Sequence, residues 1–121
     1  MPDRAPFAIC SIDDLEHNGS WALARRGLDL TSFGLNVVDI APGDAIPEHD
    51  ERGRDQEEVF VTLAGDAVLV IDGQDHPLPP GTLARLDPEL RRTVRNDGDV
   101  PARILIASAP RTSGFEPMSW A

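Results

Sequence analysis

A chain of 121 residues has room for one domain, and enough length to bury a core without staples. Its formal net charge is −10, from 21 acidic against 11 basic residues. A surface of that sign repels phosphate backbones and anionic lipids, so nucleic-acid and membrane partners are set aside, and solubility is the plain consequence.

The hydrophobic fraction of 40% is ordinary for a globular protein, and 11 Pro with 10 Gly mark frequent turns. Cys10 is the single cysteine, so no internal disulfide and no Cys-rich metal site can form. It reads as a small buried apolar residue. The opening MPDRAPFAICSI lacks the apolar run of a signal peptide, and no stretch approaches a membrane span. A cytoplasmic address is the expectation.

In chain order, Phe7–Ile9 reads as a short strand. Ser11-Ile-Asp-Asp14 has a helix-start pattern, which predicts one helical turn near Leu15. His17-Asn-Gly-Ser20 is a turn, and Trp21–Arg26 an edge strand. Gly34–Ala41 is β-rich and stops at Pro42-Gly43. The charged stretch Pro47–Gln56 is a loop or irregular strand. Glu57–Leu63 is a strand ending at Ala64-Gly65. Asp66–Asp72 is the next, closed by a turn at Asp72-Gly73-Gln74, and strand–turn–strand at this spacing is a hairpin signature. Pro77, Pro79, Pro80 and Gly81 forbid a helix and force a bend. Thr82–Leu86, Arg91–Val94 and Arg103–Ala107 supply three more strands. Short strands with turns this frequent predict a β-sandwich or barrel.

These strands are apolar on both sides. Val59, Val61 and Leu63 share one face of their strand while Phe60 takes the other, and every residue from Ala67 to Ile71 is apolar. A sheet with one wet face would alternate cleanly. An N-terminal arm, the tail near Phe115–Trp120 or a second subunit is expected to cover the outer face. Val59, Val61, Leu63, Leu69, Ile71, Leu83, Leu86, Ile104 and Ile106 are expected to supply the core and the intersubunit cover. Trp21 and Trp120 are expected to pack the two ends of the chain onto the barrel.

Two spacings carry the functional signal. Gly43 is followed after five residues by His49, then by Glu51, Glu58 and, six residues on, Gly65. Gly81 is followed by Asp87, Glu89, Arg92 and Asn96 at fixed offsets. These segments resemble the two motifs of the cupin superfamily, in which two His, a Glu and a last His converge inside a barrel. Glu51 stands for the second His, the loop before Glu58 is about two residues longer, and Asp87, Glu89 and Arg92 replace Pro, Gly and His. The resemblance covers about residues 34–110. It implies an all-β fold, a cupin-type double-stranded β-helix (jelly roll) of two antiparallel sheets. Residues 1–121 then form one domain, with a barrel core at 34–110, an arm at 1–33 and a tail at 111–121. It also implies a homodimer, since cupin barrels often pair through sheet faces.

Carried over position by position, the resemblance makes His49, Glu51 and Glu58 candidate metal ligands. Arg92 cannot ligate, because its guanidinium stays protonated. The site is thus a degenerate one, holding no metal or a weakly bound divalent ion, with Zn, Mn, Fe and Ni the candidates. Glu57 and Glu58 are adjacent on a strand, so one faces out, and the motif spacing chooses Glu58 for the interior. A buried carboxylate needs a partner, and Arg92 is the candidate. Arg85, Arg91, Arg92 and Arg95 read either as a solvated strand face or as an anion pocket. His17 and His76 read as surface residues.

The expected ligand-binding set is His49, Glu51, Glu58, Arg92 and Phe60. The first reading is a small-molecule-binding barrel, with anions among the candidate ligands. A metal-dependent enzyme of dioxygenase, isomerase or decarboxylase type, using His49, Glu51 and Glu58, is the second. A structural interaction domain is the third. Fold alone does not separate them.

Overall fold

The computed structural model describes residues 4–121. Its strands are β1 (His17–Asn18), β2 (Trp21–Ala22), β3 (Gly34–Ile40), β4 (Gln56–Ala64), β5 (Ala67–Ile71), β6 (Gln74–Leu78), β7 (Leu83–Leu86), β8 (Arg92–Asn96) and β9 (Ala102–Pro110). One short helix, α1, spans Ala24–Leu28, and 3₁₀ turns occupy Ile12–Asp14 and Arg52–Arg54. The strands form two antiparallel sheets, ordered β1-β2-β3-β9-β4-β7 and β6-β5-β8. Ala45–His49 runs beside β8 through bridges Ala45–Arg95 and His49–Arg92, which extends the smaller sheet.

Inner faces of both sheets meet in one apolar core. Val38, Phe60, Leu86, Ile104 and Ile106 come from the larger sheet, and Leu69, Leu78 and Val94 from the smaller. Period-2 alternation selects these residues. In β4 it turns Glu58, Phe60 and Thr62 inward, all buried, and leaves Glu57, Val59, Val61 and Leu63 outward. Thus Val59, Val61 and Leu63 are not core residues, and Leu83, 68% exposed, is not one either. Leu69, Leu86, Ile104 and Ile106 are buried as expected, and Ile71 packs against the core half-buried. With apolar residues on both faces of β4, hydrophobicity could not choose the inner one. Placing Glu58 inside already required Phe60 inside as well.

The tight link Ala64-Gly65-Asp66 makes no hairpin, because β4 and β5 fall in different sheets. Gly65 has φ +83°, and a Cβ there would lie 2.6 Å from Ala102 Cα, so only glycine fits this crossing. The hairpin is the next pair, β5–β6, whose turn residues Asp72 and Gly73 both have positive φ. β6 was read as a bend because of its prolines. It tolerates Pro77 because it is the edge of its sheet, where a missing N–H costs no ladder bond. The turn after β8 is pinned by Asn96. Its Nδ2 donates to Ile40 O (2.8 Å) and Val100 O (2.7 Å), and its Oδ1 accepts from Gly98 N (2.9 Å).

The N-terminal arm covers part of the larger sheet's outer face. Leu15, Ala22 and Ala24 pack with Val37, backed by Leu35 and Leu105. Arg103 ties the arm down, donating to Asp39 on β3 (2.8 Å) and Asp13 in the arm (2.9 Å). Ser11 caps the predicted helical turn through its hydroxyl. The strand expected at Phe7–Ile9 is absent, and Cys10 is exposed rather than buried. Trp21–Arg26 is a strand only to Ala22 and then turns into α1. Trp21 packs against the core, whereas Trp120, 82% exposed, does not pack onto the barrel.

Candidate functional site

Three segments bring the site together. Strand β4 pairs with both β7 and β9 around Glu58, opposite Leu86 and Ser108, which fixes that carboxylate inside the larger sheet. On the other sheet His49 and Arg92 exchange backbone hydrogen bonds of 3.0 and 2.8 Å. Residues directly opposite each other in such a pair share a face, so both side chains enter the barrel together. Glu51 follows two residues after His49, with its N–H on Pro88 O at 2.9 Å.

His49 Nδ1 lies 3.0 Å from Pro47 O. A carbonyl only accepts, so Nδ1 carries the proton and Nε2 faces the interior. There it meets Glu58 Oε1 at 3.6 Å and Glu51 Oε1 at 3.8 Å. A neutral ring would point a lone pair at two carboxylates. A proton or a cation between them relieves that repulsion. The His49 pKa is accordingly raised above its ordinary value, chiefly by the Glu58 carboxylate as acceptor for Nε2–H. Partial burial opposes the shift and the Pro47 carbonyl adds to it. At 3.6 Å the Glu58 contact is long for a hydrogen bond, and its pull is mostly charge on charge.

Arg92 is fully buried, with Nη1 on Leu90 O at 2.5 Å and Nη2 3.2 Å from Glu58 Oε1. The expected ion pair is present, but its alignment is poor. Glu58 Oε1, Arg92 Nη2 and Arg92 Nε have no hydrogen-bond partner. Buried polar atoms are nearly always satisfied, so three together in one cluster mark a place built for another polar group.

A divalent ion fits the donor set. His49, Glu51 and Glu58 each offer one ligand atom, and these lie within 4.8 Å of one another. Donors held about 2.0–2.2 Å from a tetrahedral ion sit about 3.3–3.6 Å apart, so the His49 contacts at 3.6 and 3.8 Å are near that spacing and the three donors would close further around an ion. Arg92 works against the ion, since its charge occupies the same carboxylate.

The triad lies in a cleft of about 520 Å³, a size typical of small-molecule sites. Trp21, Ile46 and Ile106 form its apolar wall, while Asn36, Gln56 and Ser108 add neutral polar groups. His49, Glu51 and Glu58 line it. Phe60, placed in the expected ligand-binding set, shares Glu58's face but is wholly buried in the core and is not among the lining residues. Arg92 stands behind Glu58 and does not line the cleft either. The other members of the arginine cluster do not converge on it. Arg85 pairs with Asp87, Arg91 with Glu48, and Arg95 with Asp75 and Asp97, all at the surface. His17, His76 and Glu57 are exposed.

Sequence reasoning missed Trp21, Arg25 and Arg54, which also line the cleft. For Arg54 a signal existed. The loop before Glu58 is longer than the motif requires, and its extra length is the 3₁₀ turn Arg52–Arg54.

A two-sheet antiparallel jelly roll with a His and two carboxylates converging between the sheets has the architecture of a cupin barrel. Residues 36–108 match the cupin domain family, and the chain belongs to it. It is 35% identical over 113 residues to Protein SchB of Streptomyces halstedii, covering 84% of this chain and 77% of that protein. A cupin protein from Bacteroides fragilis has a similar fold, with a TM-score of 0.79 at 19% identity, covering 97% of this chain and 94% of that one. A sugar phosphate isomerase of the cupin superfamily from Silicibacter pomeroyi overlaps 66% of this chain and 52% of its own, at 28% identity and a TM-score of 0.58. Among the described residues, no helix is long and apolar enough to cross a membrane.

Proposed function

We propose that this cupin binds a small ligand in the cleft, in contact with His49, Glu51 and Glu58, and that any divalent metal there is held weakly. The observation that carries this reading is Arg92. Its buried guanidinium lies 3.2 Å from the carboxylate that would be a metal's inner ligand. A fixed cation there balances Glu58 without a metal and repels a second cation. Cupins with a third imidazole at this position lack that competitor. Elemental analysis of untagged protein tests the proposal. Substoichiometric metal, lost on dialysis against a mild chelator, is the expected result.

The three convergent donors favour one second reading, a metal-dependent enzyme. There, His49, Glu51 and Glu58 would hold the ion, which would supply Lewis acidity to a bound oxygen. Arg92 would hold the Glu58 carboxylate in place from behind, and the apolar wall would exclude water. One tightly held metal per chain, abolished by His49→Ala, would replace the first reading with this one.

A further inference from the structure

Charge at the cleft is unevenly distributed. Glu51 and Glu58 are its two lining carboxylates. Arg92 balances Glu58 from behind, at 3.2 Å. Arg25 on α1 and Arg54 on the 3₁₀ turn Arg52–Arg54 also line the cleft, and among the described residues neither forms an ion pair. The chain has 11 basic residues, all arginine, and most are paired with carboxylates. No carboxylate oxygen lies within 4.0 Å of Arg25 or Arg54 among the described residues. Arg25 donates only to the Leu30 carbonyl, at 3.3 Å. In a chain of net charge −10, two unpaired guanidiniums on one cleft are a local reversal of sign.

We propose that Arg25 and Arg54 are the anion-recognition residues of this cleft, and that its ligand is an organic acid with an apolar body. The inference rests on the cleft being the ligand site. The acid group meets guanidiniums, which suit carboxylates through paired N–H donors. The apolar body meets Trp21, Ile46 and Ile106, and neutral oxygens can reach Asn36, Gln56 or the triad. The positive rim also concentrates anions against the field of the whole protein.

Trp21 reports on this field directly. In a Trp120→Phe background it is the single tryptophan, and it lines the cleft. At constant ionic strength, iodide should quench it at least about twofold better, relative to neutral acrylamide, than in the added Arg25→Gln/Arg54→Gln variant, while caesium shows the reverse. Both side chains are exposed, so the variant should fold. Benzoate and the neutral isostere benzamide then test recognition on chelator-treated protein, by chemical-shift titration. Benzoate should bind about tenfold tighter, and the double glutamine variant should remove that preference while leaving benzamide unchanged. Arg25→Lys/Arg54→Lys should keep the iodide excess but lose part of the benzoate preference. Equal binding of the two probes, or an iodide excess indifferent to both arginines, overturns the inference and leaves the cleft reading standing. Binding of neither probe overturns the cleft reading, and this inference with it.

Discussion

His49 and Arg92 are bound to each other twice through the backbone, N–H to O at 3.0 Å one way and 2.8 Å the other. They are 43 residues apart in the chain and belong to the two separate motifs. This single bridge places an imidazole and a guanidinium side by side on one face of the smaller sheet. Glu58, on the facing sheet, meets both, at 3.6 Å from His49 Nε2 and 3.2 Å from Arg92 Nη2. The carboxylate is therefore shared between a titratable cation and a permanent one. The site's stability, its pH response and its affinity for metal should all depend on that sharing.

The Glu58–Arg92 pair is desolvated, with side chains 8% and 0% exposed. Removing one partner strands the other. Arg92→Ala and Glu58→Gln should each lower unfolding free energy by about 3–5 kcal/mol in urea titrations. The double variant Arg92→Ala/Glu58→Gln should lose less than the sum, because neither charge remains. Additive losses would show that the two residues act independently.

His49 should titrate above its ordinary value of 6.5 when followed by NMR of the ring protons. Glu58→Gln should bring the midpoint down, since that carboxylate is the largest cause of the shift. The sign for stability follows. The folded pKa exceeds the unfolded one, so the stabilising contribution is fully present below 6.5 and is lost as pH rises through the folded value. A divalent ion competes for the same Nε2, so zinc should lower the apparent midpoint. A His49 midpoint unmoved by Glu58→Gln would contradict the arrangement.

Much of this site was legible because it obeys spacing. Motif position chose Glu58 over Glu57, and β alternation then carried it inward. The same alternation places Phe60 inside, yet Phe60 is core rather than cleft, and one dimension of spacing cannot tell depth along a strand. Pro77 hid an edge strand, since a missing N–H on the open side of an edge costs no ladder bond. Cys10 was read from its residue type, but it lies on the arm, beyond the apolar patch that Leu15 closes. Arg25 sits on the short helix α1 and Arg54 on a 3₁₀ turn, 29 residues apart, where no periodicity exists to connect them.

The outer face of the larger sheet is half covered. The arm packs on β3 and β9, whereas Leu63 (42% exposed) and Leu83 (68% exposed) remain open beside Val59 and Val61. A contiguous apolar strip of this kind suits a symmetric contact with a second copy. We propose a homodimer through this face. Light scattering at micromolar concentration should give about twice the 13.1 kDa chain mass. Val61→Glu/Leu83→Glu should yield a folded monomer. A wild-type protein of monomer mass would end the proposal.

Metal affinity should rise when Arg92 is replaced, because its charge competes for Glu58. Wild-type protein presents one nitrogen and two carboxylate donors, with a guanidinium competing for Glu58. Arg92→His removes the competing charge and adds an imidazole on the same backbone bridge as His49. Calorimetric titration of chelator-treated protein with zinc or manganese should show at least about a tenfold gain over wild type, more than 1.4 kcal/mol. Arg92→Met separates the two causes, because it removes the charge without adding a donor. If relief of repulsion dominates, the methionine variant should recover most of the gain. If the fourth donor dominates, it should recover little. The gain must vanish in a His49→Ala background, where the bridge no longer presents a second nitrogen. An Arg92→His variant that binds no more tightly than wild type would mean that the three donors do not close on an ion, and the cleft would then be read as a purely organic ligand site.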